Sequence, residues 1–368
     1  MKLTIDRAML IKPLGHVQSV VERRNTIPVL SNVVLKAEDG QLALTATDMD
    51  MDIVESVSAA VIEPGTITTP AQLLYEIVRK LPDGAEIEIN AFGEGQVQIS
   101  AGRSSFNLPT LPVDDFPAIS TAPMACEFTL AAAELKALIE NTRFAVSTEE
   151  TRYYLNGIYL HLADGHMLRA VSTDGHRLAR SQMDMPANAE MMPSVIVPRK
   201  AVGEMSKLID EFEGDVQIGL SDSRARFRFG AVEVTTKLID GTFPDYQRVI
   251  PTENNHIMQV SVASFKDSVD RVSTISAEKT RSIKMKLTPG SLTLSATSPD
   301  AASAVETLEV QYDGADIEIG FNARYLMDIA AQIDGNMMEF ALSDASAPTV
   351  IRAPGDDANL FVLMPMRV

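Results

Sequence analysis

The segment Ser172–Leu178 (STDGHRL) places an acid and an imidazole two residues apart, with His161 and His166 shortly before it. Asp174 and His176 could hold a metal ion that activates water, since carboxylate oxygens and imidazole nitrogens are common zinc ligands. The spacing matches no ligand pair on a helix, and no Glu-bearing metal helix accompanies it. A surface histidine in a turn is the alternative interpretation, and a metal hydrolase built on this turn stays open as a hypothesis.

Other catalytic signatures are missing from the sequence. No glycine-rich loop ends in Lys-Ser or Lys-Thr, as a phosphate-binding loop would, and no G-x-S-x-G motif offers a nucleophilic serine. Cys126 is the single cysteine, so neither an internal disulfide nor a cysteine-rich metal site can form. The sequence therefore predicts a protein that is not an enzyme and has no metal and no cofactor.

The same segment belongs to an internal repeat. An alternating apolar run ends at Thr173, and similar runs end at Thr47 (LALTATDMD) and Thr297 (LTLSATSPD), 126 and 124 residues away. Such alternation is typical of a half-buried strand, and the Asp and Pro residues that follow favour a turn. The recurrence predicts three tandem units, 1–125, 126–252 and 253–368.

Each unit is predicted to open with a strand and a helix and to carry a second helix later. The opening segments are 3–24, 128–146 and 260–276, and the later helices are 71–81, 199–209 and 323–333. Thr69 and Asn322 are predicted N-caps, and Pro70 and Pro198 are prolines suited to a first turn. With short alternating strands between them, these elements predict an α+β fold in which two helices per unit cover one face of an antiparallel sheet.

Charge is unevenly distributed along the chain. The formal net charge of −18 by itself argues against DNA or an anionic membrane as a partner. The six helical windows nevertheless carry +5 together and leave −23 for the rest; they are 7–24, 70–80, 130–146, 198–209, 264–276 and 322–334. Basic helical faces could therefore meet phosphates, although a solvated surface explains them equally well.

The sequence also bears on where the protein works. No apolar run approaches the roughly 20 residues that a membrane-spanning helix needs. No basic and then apolar leader follows Met1. We therefore expect a cytoplasmic protein without a membrane partner.

Several longer motifs recur in order along the whole chain: RYYLNG (152–157), STDGHRL (172–178), VIVPRK (195–200), FPDYQRVIP (243–251), EIGFNARYL (318–326) and a terminal MPMRV (364–368). With the threefold repeat, they resemble the bacterial sliding clamps, the beta subunits of DNA polymerase III. The resemblance covers residues 1 to 368 without a long insertion. It implies a head-to-tail homodimer that closes as a ring around duplex DNA, with helices lining the hole and sheets outside.

The resemblance also implies a role and partners. The ring would be a processivity factor that slides on DNA without reading its sequence, because scattered Arg and Lys side chains attract phosphates only. Its protein partners would be the DNA polymerase III catalytic subunit, the clamp loader, and other polymerases and repair proteins that carry a short motif of Gln with Leu and Phe anchors.

Three sets of residues follow from the family pattern. Arg24 and Tyr154 match DNA-contacting positions, and Arg152, Arg199 and Lys200 are expected near phosphates. Glu149 departs from the pattern, which has a neutral amide there. The peptide-binding pocket is expected to comprise Leu155, Thr173, Gly175, His176, Arg177, Leu178, Pro244, Arg248, Val249, Asn322, Tyr325, Ser346, Pro348, Val362, Met364, Pro365, Met366 and Arg367.

The third set would close the ring. Arg103, Phe106 and Leu108 are expected to face Thr274 and Ile275 of the other chain, with Asp300 and Glu306 nearby. Ser105 replaces a basic residue of the family at this contact, and Thr280 replaces an aromatic residue at the rim of the pocket. A repeat scaffold that forms rings and binds peptides without enclosing DNA remains an alternative.

Overall fold

The computed structural model describes residues 1–22, 26–93, 95–119, 123–276, 281–298 and 302–367. This part of the chain contains six α-helices and 25 β-strands, and the strands pair antiparallel. The helices are α1 (Arg7–Val20), α2 (Ala71–Lys80), α3 (Ala132–Arg143), α4 (Arg199–Asp210), α5 (Val262–Ser273) and α6 (Ala323–Ala330). Short 3₁₀ turns occupy Pro28–Ser31, Val113–Asp115, Glu150–Leu155 and Tyr246–Val249. The predicted α+β class is confirmed.

The strands fall into three successive series with a similar order of elements, and the first series has one strand more than the other two. The first series is β1 (Lys2–Asp6), β2 (Asn32–Glu38), β3 (Gln41–Thr47), β4 (Met51–Ser58), β5 (Ala60–Glu63), β6 (Gly65–Pro70), β7 (Glu86–Asn90), β8 (Gln96–Ala101) and β9 (Ser104–Pro109). The second is β10 (Cys126–Ala131), β11 (Gly157–Ala163), β12 (Met167–Thr173), β13 (Arg177–Asp184), β14 (Val195–Pro198), β15 (Asp215–Leu220), β16 (Arg224–Phe229) and β17 (Val232–Lys237). The third is β18 (His256–Ser261), β19 (Ser282–Thr288), β20 (Ser291–Thr297), β21 (Ser303–Glu309), β22 (Ile317–Asn322), β23 (Met337–Leu342), β24 (Thr349–Arg352) and β25 (Asn359–Leu363).

The repeated threonines each end a strand, as predicted: Thr47 ends β3, Thr173 ends β12 and Thr297 ends β20. In the first two copies the hydroxyl closes the turn in the same way. Thr47 Oγ1 donates to Met51 O at 3.1 Å, and Thr173 Oγ1 donates to Arg177 O at 2.7 Å. The first two copies therefore share this hydrogen bond as well as the sequence pattern.

The helix starts confirm one predicted cap and correct another. Asn322 Oδ1 accepts hydrogen bonds from Arg324 N at 2.9 Å and Tyr325 N at 3.4 Å, which caps α6 as predicted. The predicted cap at Thr69 is wrong. Strand β6 continues through Pro70, and Pro70 itself occupies the N-cap position of α2. The Thr69 hydroxyl is buried there, and it has no hydrogen-bond partner among the described residues.

One compact unit comprises Met1–Leu135, Pro186–Pro193 and Lys200–Leu238. Its eight-stranded sheet has the order β10-β15-β16-β17-β4-β3-β2-β6, and its five-stranded sheet has the order β5-β1-β7-β8-β9. The pair β4–β17, with Ile53 opposite Val234, joins strands of the first and second series. Alternating side chains such as Leu42 and Leu44 are fully buried, as expected for strands with one face toward a core.

The other compact unit comprises Lys136–Met185, Ser194–Arg199 and Ile239–Val368. Its sheets have the orders β14-β11-β12-β13-β25-β24-β23-β18 and β21-β20-β19-β22. A core cluster contains the fully buried rings of Phe265, Phe321, Phe340 and Phe361. Here the pair β13–β25 joins strands of the second and third series.

The two compact units do not follow the threefold repeat, because neighbouring series share sheets at β4–β17 and β13–β25. The boundaries 1–125, 126–252 and 253–368 therefore stay a prediction. Within the described residues, no helix is long and apolar enough to span a membrane.

Candidate peptide-binding groove

The shared sheet of the second unit brings two distant parts of the chain side by side. Leu178 on β13 lies directly opposite Val362 on β25, and Val362 also lies opposite Val350 on β24. Around the first pair is an apolar cluster, which we call the groove floor: Leu155, Val171, Leu178, Ile196, Phe243, Tyr246 and Val362. Three predicted pocket residues therefore meet in one buried cluster although they are up to 207 positions apart, from Leu155 to Val362.

The turn between β12 and β13 forms one end of this floor. Asp174 Oδ1 accepts hydrogen bonds from His176 N at 2.9 Å and Arg177 N at 3.0 Å, and Asp174 Oδ2 accepts from Arg177 Nε at 3.1 Å. Gly175 has a φ of +88°, a left-handed conformation that glycine adopts readily. A Cβ at Gly175 would also lie 2.5 Å from the Arg152 guanidinium, so a side chain at this position would require Arg152 to move. The result is a fixed turn that leaves His176 exposed.

Arg177, one of the predicted pocket residues, is buried. Only 8% of it is exposed. Its guanidinium donates to Asp328 Oδ2 at 2.6 Å and to Phe144 O at 2.6 Å, and it lies 4.3 Å from the centre of the Tyr325 ring. A buried cation needs such partners to offset its lost hydration. Arg177 therefore cross-links α6, the end of α3 and the turn, and it orients Tyr325 beside the floor.

The C-terminal segment borders the same floor. Met364 N donates to His176 O at 2.9 Å, and Met366 N donates to Gly320 O at 2.8 Å. Both amides are bonded to other segments, so this part of the C-terminal segment is held in place. Met364 and Val249 expose apolar side chains beside the floor, which suits contact with an apolar ligand.

All the predicted pocket residues lie within the second compact unit. Leu155, Arg177, Leu178 and Val362 are buried. Those half-buried are Thr173, Asn322, Tyr325, Pro348, Pro365 and Met366. Those exposed are Gly175, His176, Pro244, Arg248, Val249, Ser346, Met364 and Arg367. Thr280 lies outside the described residues.

The metal-hydrolase hypothesis finds no support at Asp174. Its carboxylate is occupied by the backbone and side-chain hydrogen bonds of its own turn. In the part of the chain that the structure describes, no group of three His, Cys, Asp or Glu residues could hold a metal ion.

Burial and the nearby Glu190 and Glu127 raise the pKa of the Cys126 thiol, which makes it less nucleophilic at neutral pH.

Two of the predicted DNA-binding cations are engaged within the chain. Arg152 Nε donates to Glu149 Oε2 at 2.8 Å, and its Nη2 donates to Asp174 O at 3.1 Å. Lys200 Nζ forms ion pairs with Glu22 and Asp48 and lies 3.3 Å from Val20 O. Phosphate contacts by these two side chains would compete with carboxylates.

The other DNA-binding candidates differ from these. Arg199, the first residue of α4, is exposed, and its backbone N donates to Asn156 O at 2.9 Å. Tyr154 is half-buried against the groove floor. Arg24 lies outside the described residues. Unlike Arg152 and Lys200, Arg199 therefore has no side-chain ion pair among the described residues.

The predicted ring-closing residues lie at or near sheet edges. Arg103 and Ser105 are exposed around the start of β9, and Phe106 is half-buried, whereas Leu108 is buried in its own chain. Thr274 is exposed and Ile275 half-buried just after α5. Glu306 accepts hydrogen bonds from Arg271 and Ser268, which lower its pKa to about 2. Asp300 lies outside the described residues.

Sequence reasoning missed one exposed side chain on an edge strand. Val305 on β21 is 68% exposed, and β21 ends its sheet. The alternation in SAVETLE (303–309) could have indicated an edge strand whose apolar residue faces outward.

Comparison with known proteins agrees with the resemblance. Three family descriptions match in order: "DNA polymerase III beta subunit, N-terminal domain" over residues 1–120, its "central domain" over 129–245 and its "C-terminal domain" over 247–367. The beta sliding clamps of Caulobacter vibrioides and Escherichia coli are 51% and 37% identical, each over 100% of both chains. A crystal structure of the sliding clamp from Bartonella birtlesii bound to griselimycin is similar with a TM-score of 0.98 and 50% identity, over 100% of both chains.

Proposed function

Because this chain belongs to the DNA polymerase III beta subunit family and acts as a DNA sliding clamp built of three tandem clamp domains, we propose that two copies close head to tail into a ring around duplex DNA. The ring tethers the DNA polymerase III catalytic subunit, the clamp loader, and other polymerases and repair proteins. It works in the cytoplasm and has no catalytic step of its own.

The proposed tethering of protein partners rests on one observation, the groove floor beside the C-terminal segment. The contacts of Leu178 with Val362, and of Met364 N with His176 O, support an apolar socket whose walls come from β13, β25 and the segment before β18. Burial of one or two large apolar anchors supplies most of the affinity in such peptide sites. Exposed Ser and Arg side chains around the socket suit the polar groups of a peptide.

Among the terminal strands of the described sheets, two support ring closure. Strand β9 ends the five-stranded sheet of the first unit, and β21 ends the four-stranded sheet of the second unit. An edge strand exposes backbone donors and acceptors that pair readily with another strand. In a head-to-tail dimer, β9 of one chain pairs with β21 of its partner, and this occurs twice. Val305 then adds apolar contact at each seam.

The DNA-facing side is proposed to hold DNA loosely. Arg199 has no ion pair among the described residues and can meet a phosphate directly. Arg152 exchanges its carboxylate partner for a phosphate at little net gain, since an exposed ion pair contributes about 0–1 kcal/mol. Lys200 is held more firmly, because the side chain of its partner Asp48 is largely buried. Weak and sequence-independent attraction is what sliding requires. Topology, and not affinity, keeps the ring on DNA.

Ring closure is tested by replacing Val305 with Lys. The side chain is 68% exposed in the single chain, so V305K leaves the fold intact but places a desolvated charge in the seam. We expect the dissociation constant of the dimer to rise about tenfold or more, which corresponds to a loss of about 1.4 kcal/mol in the free energy of dimerisation. Sedimentation equilibrium measures this.

The matched control is Ile62→Lys. Ile62 is 59% exposed on β5, which ends the other side of the five-stranded sheet, so I62K makes the same chemical change on an edge that the proposal does not use. It should leave dimerisation unchanged. If the V305K dimer is as stable as the wild-type dimer, or if both variants dissociate equally, the dimer contact does not lie at β21.

A further inference from the structure

A line of four ring side chains lies beside the groove floor. Phe243 stacks on Tyr159 with ring centres 4.8 Å apart and 6° between the planes, and Tyr159 stacks on His161 at 4.6 Å and 22°. The Tyr246 ring follows, 5.7 Å from His161. Phe243 and Tyr246 belong to the floor, whereas Tyr159 and His161 lie on β11. This aromatic line therefore joins the floor to the sheet.

The segment 240–249 depends on the aromatic line for its position. It carries the predicted pocket residues Pro244, Arg248 and Val249. Just before it, Ile239 N donates to Ile196 O at 3.0 Å. Among the described residues, however, no backbone hydrogen bond joins 240–249 itself to another segment. Its attachment is through buried side chains, Phe243 and Tyr246.

The hydrogen bonds of His161 define its protonation. His161 Nδ1 lies 2.9 Å from Leu162 O, and Nε2 lies 3.0 Å from the Tyr246 hydroxyl. A carbonyl oxygen only accepts, so Nδ1 carries the proton, and Nε2 of the neutral ring accepts from the hydroxyl. If Nε2 were also protonated, the hydroxyl would have to turn, and its hydrogen would need a new acceptor in a buried place.

The surroundings keep this imidazole neutral. Burial is the largest influence and lowers the pKa of His161. The hydrogen bond to the Leu162 carbonyl raises this pKa by less, the positive charge of Arg169 lowers it further, and Asp164 opposes Arg169. Arg169 is itself paired with Asp164 at 2.6 Å. Arg180 interacts electrostatically with Arg169 and Tyr246, and the carboxylates of Asp356 and Asp357 oppose its positive charge. At neutral pH the acceptor at Nε2 is therefore present.

We propose that neutral His161 is a positioning residue of the peptide groove: its Nε2 accepts the Tyr246 hydroxyl and so holds residues 243–249 where Pro244 and Val249 complete the groove wall. The inference rests on the proposed peptide-binding function and deepens it. Protonation of His161 frees the segment, so peptide affinity falls in acid even though His161 does not touch the peptide.

The test measures binding of a fluorescein-labelled synthetic peptide, with a Gln followed by Leu and Phe anchors, to the full-length protein by fluorescence anisotropy. Titrations run from pH 7.5 down to 5.5. His161→Phe keeps a stacking ring but has no acceptor, and His161→Gln supplies an acceptor that does not titrate. His166→Gln, in an exposed turn of the same unit, is the matched control.

We expect H161F to bind the peptide about tenfold more weakly at pH 7.5, equivalent to about 1.4 kcal/mol. H161Q should bind within about twofold of wild type at pH 7.5 and lose less affinity on acidification. Wild type and H166Q should weaken together below the ordinary histidine pKa of about 6.5. His176, the other histidine beside the groove, is present in every variant, so the difference between H161Q and wild type isolates His161.

The proposal would be overturned if H161F bound the peptide as tightly as wild type does, or if the pH profile of H161Q were identical to that of wild type. If thermal unfolding shows that H161F does not fold, the profile of H161Q decides alone. A wild-type protein that binds no peptide at pH 7.5 would instead overturn the proposed groove, and the role of His161 with it.

Discussion

Individual charges on this chain are often satisfied by a neighbour before any ligand arrives. Arg152 pairs with Glu149, and Lys200 pairs with Glu22 and Asp48. The hydrogen bond from Arg152 lowers the pKa of Glu149, so its carboxylate is ionised throughout the neutral range. Arg152 is therefore engaged by a full negative charge, which a phosphate has to displace.

Replacing Glu149 with Gln is expected to release Arg152 toward DNA. We expect E149Q to bind short duplex DNA about two- to fivefold more tightly, with a salt dependence of log K steeper by about one, as for one added phosphate contact. Anisotropy titrations with labelled duplex at several salt concentrations measure both quantities.

Glu233→Gln is the control for this change. Glu233 pairs with Arg228 at 2.6 Å across β16 and β17, so E233Q removes the same charge and frees an arginine at a position with no predicted DNA contact. Equal gains in both variants would show that net charge alone, and not Arg152, determines the affinity.

At the scale of elements, His16 connects three parts of the first unit. It lies on α1; its Nδ1 is 2.7 Å from Glu55 Oε2 on β4, and its Nε2 is 3.4 Å from Glu211 Oε2 just after α4. Burial disfavours the charged imidazole, but the hydrogen bonds and charges of Glu55 and Glu211 outweigh it and raise the pKa of His16. Lys12 also pairs with Glu211, at 3.0 Å.

A raised pKa in the folded state means that protonated His16 stabilises the fold. This contribution is complete below the unfolded pKa of about 6.5 and is lost as pH rises through the folded-state pKa. We expect His16→Gln to lower the free energy of unfolding by about 1–2 kcal/mol at pH 6 and by less at pH 9. Urea unfolding at the two pH values, with H166Q as the control, measures the difference; an equal loss at both would contradict a charged His16.

Elements with a strong local signal could be predicted from the sequence. The threonine-ended strands β3, β12 and β20 and the Asn322 cap follow from alternation and capping chemistry over a few residues. The failure of the Thr69 cap could not be predicted from the sequence, because the extension of β6 through Pro70 depends on its pairing with β2. The burial of Arg177 likewise depends on Asp328 and Phe144, which are distant in sequence. The pocket residues themselves were identified by resemblance, since no local pattern links Leu178 to Val362.

For the whole molecule, charge and topology have to be considered together. A chain with a net charge of −18 serves DNA because its basic residues are concentrated in helical segments, whereas its sheets and loops carry most of the acids. Binding by affinity alone would then be weak and easily screened by salt. A closed ring removes this difficulty, because a ring cannot leave a circle without opening.

The most direct test of this central claim is retention of the purified protein on circular DNA and on the same DNA linearised after loading by a clamp loader. The buffer contains enough salt to suppress phosphate contacts. We predict stable retention on the circles and rapid loss from the linear ends. With loading confirmed, equal loss from both forms would contradict the encircling ring and favour a scaffold that binds peptides without enclosing DNA.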